Sequence, residues 1–225
     1  HLSVHSFPTR RSSDLRTPAS GHVYLGSEDV TDEPRRRRIE DGMAYVPEDR
    51  QARGLVMEYD LTENGLLGSQ RDPQFADGGR IRWDDAEDHA AEIVEEYDVR
   101  PADPGADAHS LSGGNQQKFI VGREFARDPE AVVASHPTRG VDVGSVEFIH
   151  DRLLDLREDG AAVLLVSSKL DEVRSLSDRL GVMHDGELVD VVDPGKVTEE
   201  QLGLLMAGEQ PDDVPPAIKR AGGEA

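Results

Sequence analysis

Four consecutive residues have the chemistry to hold an anion. Ser112-Gly113-Gly114-Asn115 follow Leu111 and run on into Gln116-Gln117-Lys118. Glycine carries no Cβ, so its backbone N–H can come close to a ligand. A helix starting here would add unpaired N–H donors and a partial positive charge, worth about 0.3–2 kcal/mol toward a negative group. The result would be a phosphate cradle without a lysine. The same residues also describe an ordinary Ser-capped helix after a glycine turn, and the pattern alone leaves both readings open.

Other chemistry is sparse. The lysine-bearing phosphate loop G-x-x-x-x-G-K-[ST] occurs nowhere in the 225 residues. The nearest stretch, Asp190 through Val197, has Asp for the first Gly, Val after the Lys, and the context of a strand end. There is no cysteine, which excludes disulfides and thiolate metal sites. The eight His residues show no metal-binding spacing, so no metal ligands are assigned. The run Arg35-Arg36-Arg37-Arg38 reads as a solvated helix face.

The elements that must position the Ser-Gly-Gly segment alternate between strand and helix. Short apolar runs predict strands at 22–25, 43–46, 131–134, 162–166, 180–184 and 187–192, the last two joined by an Asp185-Gly186 hairpin turn. Apolar residues near a 3.6 period predict helices over 35–41, 84–99, 115–127, 143–157, 170–176 and 198–206, with Thr198 and Gln201 at capping-box spacing. Strands alternating with helices imply an α/β fold, a mainly parallel sheet flanked by helices. Residues 62–127 form a helical insert carrying the Ser-Gly-Gly segment, in which Phe75 and Trp83 are expected to pack. Residues 1–15 differ in character from the strongly acidic remainder of the chain and are set apart as a non-native or disordered segment. A disordered tail is expected over 211–225, after Pro211, with Pro215-Pro216 and Gly222-Gly223.

Asp and Glu number 46 against 25 Lys and Arg, a net charge of −21, and aromatics are 4%. The acid is spread along the whole chain. That favours a protein working in molar salt, where screening falls to about 3 Å, over an acidic face for one basic partner. Disorder is disfavoured by the periodic apolar segments. Nucleic acid is excluded as a partner, because no basic face is present to neutralise phosphates. No run reaches the roughly 18 apolar residues of a membrane span.

Leu111-Ser112-Gly113-Gly114-Asn115-Gln116-Gln117-Lys118 resembles the signature motif of ABC ATPases. Tyr45-Val46-Pro47-Glu48-Asp49-Arg50 is similar to the Q-loop region in the second ATPase domain of tandem sugar and nucleoside importers, with Glu48 at the Gln position. Pro137-Thr138-Arg139-Gly140-Val141-Asp142-Val143-Gly144 resembles their D-loop, with Asp142 its acid, and Leu165 to Val173 their switch region. The elements fall in family order over residues 16–210, and Val146 to His150 lean toward the nucleoside branch.

The resemblance implies an ABC-type P-loop NTPase fold and a partial nucleotide-binding domain over 16–210. It implies ATP and Mg²⁺ as cofactors, and nucleotide contacts from Ser112, Gly113, Gly114, Asn115 and Gln116. The implied partners are a second ABC ATPase domain, transmembrane permease subunits and an extracytoplasmic solute-binding protein, at the cytoplasmic face of the membrane. The departures are equally specific. Ser135 and His136 stand where the family has the Walker B Asp-Glu pair, and Ser168 stands at the switch His. With the phosphate loop expected upstream, the chain reads as N-terminally truncated and inactive alone. It would lend its signature to a composite site whose Walker motifs lie on the other domain. The alternatives are an inert salt-adapted fragment, or a soluble ABC ATPase outside transport.

Overall fold

A computed structural model describes residues 20–209, together with 3, 4, 18, 211 and 214. Most of segment 1–15 and of the 211–225 tail therefore lies outside the described residues. The chain divides into two compact units, His1–Val166 and Ser167–Ala225.

The first unit begins with antiparallel strands β1 (Ser3–Val4), β2 (Val23–Leu25) and β3 (Glu28–Asp29). Ser3 and Val4, set apart from the fold on sequence, pair with Tyr24 and Val23. Helix α1 (Arg35–Glu40) comes next. Arg36 and Arg37 pair with Glu40 and Asp41 on its own surface. Arg38 is buried and donates to the Val30 and Thr31 carbonyls.

The centre is a parallel sheet of β4 (Met43–Val46), β7 (Ala131–Ser135) and β8 (Ala162–Val166), in the order β4-β7-β8. Alternation along these strands serves two layers, as buried parallel strands require. Ala44, Val46, Val132 and Ala134 join the main core, while Met43, Ala131 and Val133 pack with Val23, Leu25 and Val30.

Between β4 and β7 lie α2 (Leu61–Gly65), the hairpin β5 (Ala76–Asp77) and β6 (Arg80–Ile81), α3 (Trp83–Glu96) and α4 (Gly113–Phe125). Ala86, Ala90, Ile93 and Val94 are the buried positions of α3. Phe75 is buried beside Leu66 and Ala86. Trp83 does not pack as expected: at the first position of α3 it is 52% exposed. Helix α4 is held to the sheet by Glu124. Its carboxylate pairs with buried Arg123 and with Arg127, and accepts the Tyr45 N–H at 3.2 Å.

Helix α5 (Val143–Glu158) packs on α4. Lys118 lies 4.7 Å from the Phe148 ring centre, and Arg152 sits 5.0 Å over Tyr97 and 5.2 Å over Phe148. Such contacts stabilise by about 0.5–2 kcal/mol each and tie α3, α4 and α5 together.

His89 packs against Phe75 with ring centres 5.0 Å apart, and burial holds its pKa below the ordinary 6.5. Above that value both folded and unfolded chains carry a neutral ring. As pH falls below it the unfolded chain takes the proton first, so stability is lost. His89→Phe is therefore expected to flatten the decline in unfolding midpoint between about pH 7.5 and 5, measured by urea titration. Parallel pH profiles for the two proteins would contradict the assignment.

The second unit holds α6 (Leu170–Leu176), the antiparallel hairpin β9 (Leu180–His184) and β10 (Glu187–Val192), and α7 (Glu199–Met206). Asp185 and Gly186 both take positive φ at the turn, and Thr198 and Gln201 form the expected capping box. Val182, Val192, Val197, Leu202 and Leu205 make its core.

Candidate functional site

Helix α4 starts two residues earlier than its apolar period suggests, at Gly113. Glycine costs about 1 kcal/mol in a helix relative to alanine, so this start has another cause. A Cβ on Gly113 would lie 2.6 Å from Arg50 Nη2, and one on Gly114 would lie 2.5 Å from both Asp142 Oδ2 and Ser145 Oγ. A side chain at either position would have to displace those groups.

Ser112 caps the helix. Its Oγ accepts the Asn115 N–H at 3.3 Å and the Asn115 side-chain amide at 3.0 Å. With its lone pairs taken, the exposed hydroxyl is left to donate its hydrogen outward. Gly113 and Gly114 occupy the first two helical positions, whose N–H groups no intrahelical carbonyl can reach. Asn115 is itself fixed, since its Oδ1 accepts the Arg100 N–H at 2.8 Å. Ser112, Gly113 and Gly114 thus carry three donors at the positive end of a 13-residue helix, Ser112 exposed and Gly114 buried.

Gln116 behaves differently from its neighbours. It is 2% exposed, and its amide donates to the Ala108 and Leu111 carbonyls at 3.1 and 3.3 Å. Its side chain braces the loop before the helix from inside, a correction to its expected place among the nucleotide contacts. The inward direction comes from its position one turn into α4, against the core.

Asp142 and the segment Glu48 to Arg50 meet on the other side of the glycines. Asp142 caps α5, its two oxygens accepting the Ser145 N–H at 2.9 Å and hydroxyl at 2.8 Å. Those two bonds hold its carboxyl below the usual carboxylate range. Glu48 forms an ion pair with Arg139. Arg50 donates to the Arg139 carbonyl at 2.8 Å and the Gly140 carbonyl at 3.3 Å. Arg50 opens a π-helical turn, Arg50–Gly54, laid along α4. Gln51 reaches Gln116, and a Cβ on Gly54 would meet Ile120 Cδ1 at 2.5 Å. Sequence reasoning singles out neither Gln51 nor Gly54; the adjacent Glu48-Asp49-Arg50 run is the one signal pointing to them.

Ser135 ends β7 and is paired with Val166 of β8. His136 comes next at φ 47°, its N–H bonded to the Val166 carbonyl at 2.7 Å and its carbonyl accepting the Arg139 N–H at 3.0 Å. The carboxyl ends of adjacent parallel strands β4 and β7 therefore deliver Glu48 and His136, the edge of an open α/β sheet where ligands bind. Ser168 lies in the second unit, exposed and just beyond β8. Among the described residues no His, Asp and Glu cluster could hold a metal ion.

No protein-family model matches the chain. Over 189 residues it is 43% identical to the nucleoside import ATP-binding protein NupA of Lactococcus lactis, covering 84% of this chain and 37% of that protein. It is 41% identical over 194 residues to the guanosine import ATP-binding protein NupO of Bacillus subtilis, covering 86% and 38%. It is 39% identical over 196 residues to the glucose import ATP-binding protein TsgD13 of Haloferax volcanii, covering 86% and 36%. Its fold matches a dimeric ATP-binding cassette, MJ0796, solved with ADP and Pi, at a TM-score of 0.65 and 23% identity over 80% of this chain and 76% of that one. Over most of its length the chain is similar to import ATP-binding proteins, and its fold is that of an ATP-binding cassette. It spans a little over a third of the length of these curated relatives. Here the donor cluster at Ser112–Gly114 and the carboxyl edge of β4 and β7 lie in one unit, joined through Arg50, Arg139 and Gly140. No described helix is long and apolar enough to cross a membrane.

Proposed function

We propose that this chain contributes the signature face of a composite ATP site in an importer for simple sugars or nucleosides. The observation that carries the reading is the first turn of α4. Ser112 Oγ accepts twice from Asn115 and keeps its O–H to donate, and Gly113 and Gly114 add two N–H groups, with Arg50, Asp142 and Ser145 packed where a Cβ would stand. Three preorganised donors on a helix N-terminus suit the terminal phosphate of a nucleotide.

The chain's own residues bind and orient. Ser112, Gly113 and Gly114 would hold the phosphate oxygens, with Asn115 fixing the Ser112 hydroxyl. Asp142 seats α5 against Gly114, and Glu48 stands at the sheet edge. Magnesium-bound ATP would supply the transferable phosphoryl group. Ser135 has no charge to support a metal and His136 brings no carboxylate, so the usual acid pair is missing from these two positions. The Walker groups of the working site would come from a second ABC ATPase domain. Transmembrane permease subunits and an extracytoplasmic solute-binding protein would be the other partners, with the chain peripheral at the cytoplasmic face; the support is the similarity to proteins named for import.

The reading predicts that the 225-residue chain alone neither binds ATP tightly nor hydrolyses it. Titration calorimetry and steady-state ATPase assays in molar KCl test this. Magnesium-dependent turnover by the isolated chain would overturn the half-site assignment.

A further inference from the structure

We infer that Arg50 is the positioning residue that sets the signature glycines against the D-loop. Two separate contacts carry the inference. Its guanidinium donates to two successive carbonyls, Arg139 at 2.8 Å and Gly140 at 3.3 Å, across 89 and 90 positions of sequence. The same guanidinium fills the space a Cβ on Gly113 would need, at 2.6 Å. One side chain therefore touches both segments on which the ATP-site reading depends. A planar fork suits paired carbonyls, where an ammonium reaches one.

The arrangement also links the Q-loop position to the D-loop. Glu48 holds the side chain of Arg139 while Arg50, two residues later, holds its backbone. Gly140 takes φ 66°, a backbone conformation that residues with side chains rarely adopt, in the segment whose carbonyls the guanidinium holds. The Arg50 Nε is buried and makes no hydrogen bond, so the hold rests on the two outer nitrogens. Removing the fork frees residues 139–142 from below and Gly113 from beside. Asp142 then no longer presents α5 to Gly114 in a fixed register. The catalytic part of the inference rests on the signature reading above; the clamp itself does not.

Hydrogen–deuterium exchange on the 225-residue chain tests the clamp. Arg50→Lys is expected to speed exchange of peptides covering 112–116 and 138–145 by about tenfold, one lost preorganised contact, with β7 and β8 unchanged. Gly113→Ala should loosen 138–145 in the same way by displacing the guanidinium. Combined, the two changes should be less than additive, because both break one contact. Unchanged exchange, or loosening spread evenly over the unit, would overturn the clamp, as would full additivity. In the full-length protein Arg50→Lys should lower kcat for ATP about tenfold with KM within about threefold, the pattern for lost positioning. Local loosening with an unchanged kcat keeps the clamp and overturns the signature reading instead.

Discussion

Replacing Phe119 with alanine is expected to destabilise the first unit by about 3–5 kcal/mol, the range for a large aromatic removed from a packed core. Phe119 is 0% exposed and lies in the middle of α4, among the largest side chains that are fully buried. Its ring edge reaches the space beside Gly65, so α2 and α4 both lose contact when it goes. Against a total stability of roughly 5–15 kcal/mol this is a large fraction. The midpoint of thermal unfolding should fall by about 6–20 °C, at the roughly 2–4 °C per kcal/mol usual for units of this size. Trp83→Ala is the contrast, within about 0.5 kcal/mol, because that ring is half in solvent. Chemical denaturation of both variants decides the matter. A Phe119→Ala cost under about 1 kcal/mol would mean that α4 is not seated as described.

The large elements are legible because their periods are strong. Met43–Val46, Ala162–Val166, Leu170–Leu176, Leu180–His184 and Glu187–Val192 are apolar or amphipathic runs bounded by turn residues, and their limits match the expectation. The hairpin Ala76–Asp77 and Arg80–Ile81 escapes a sequence reading, because two-residue strands have no readable alternation. Gly78-Gly79, with φ 54° and 84°, is its one local signal. Trp83 is misplaced because residue type suggests burial, whereas its position at the start of α3 faces solvent.

The site is legible as a motif and opaque as a mechanism of assembly. The Ser112 cap and the two glycines suggest an anion cradle and fit an ordinary capped helix as well. Nothing local says that Gly113 is filled by a guanidinium from residue 50, or Gly114 by the cap of α5. Those contacts join residues far apart in sequence, and only the folded chain brings them together. Gln116 shows the opposite error. Its motif position suggests a ligand contact, and the helical period turns it into the core.

The central claim is that this chain works through its signature turn and not through its own Walker B positions. Gly114→Asp should abolish most ATP turnover in the full-length protein. It adds a Cβ where Asp142 and Ser145 leave 2.5 Å, and a second carboxylate beside both Asp142 and the phosphate. The Asp keeps its backbone N–H but pushes the phosphate away from it, an effect comparable to losing one preorganised donor, about 10²–10³ in rate. His136→Gln changes a residue whose backbone, not its ring, is bonded into the β7 turn. It should leave turnover within about twofold, a shift of roughly 0.5 kcal/mol. The deciding measurement is the ratio of the two steady-state ATPase rates in molar KCl, each normalised to wild type. The account predicts His136→Gln faster than Gly114→Asp by a factor of about 10² or more. A reversed ratio, with Gly114→Asp active and His136→Gln dead, would make His136 the catalytic base and contradict the half-site account.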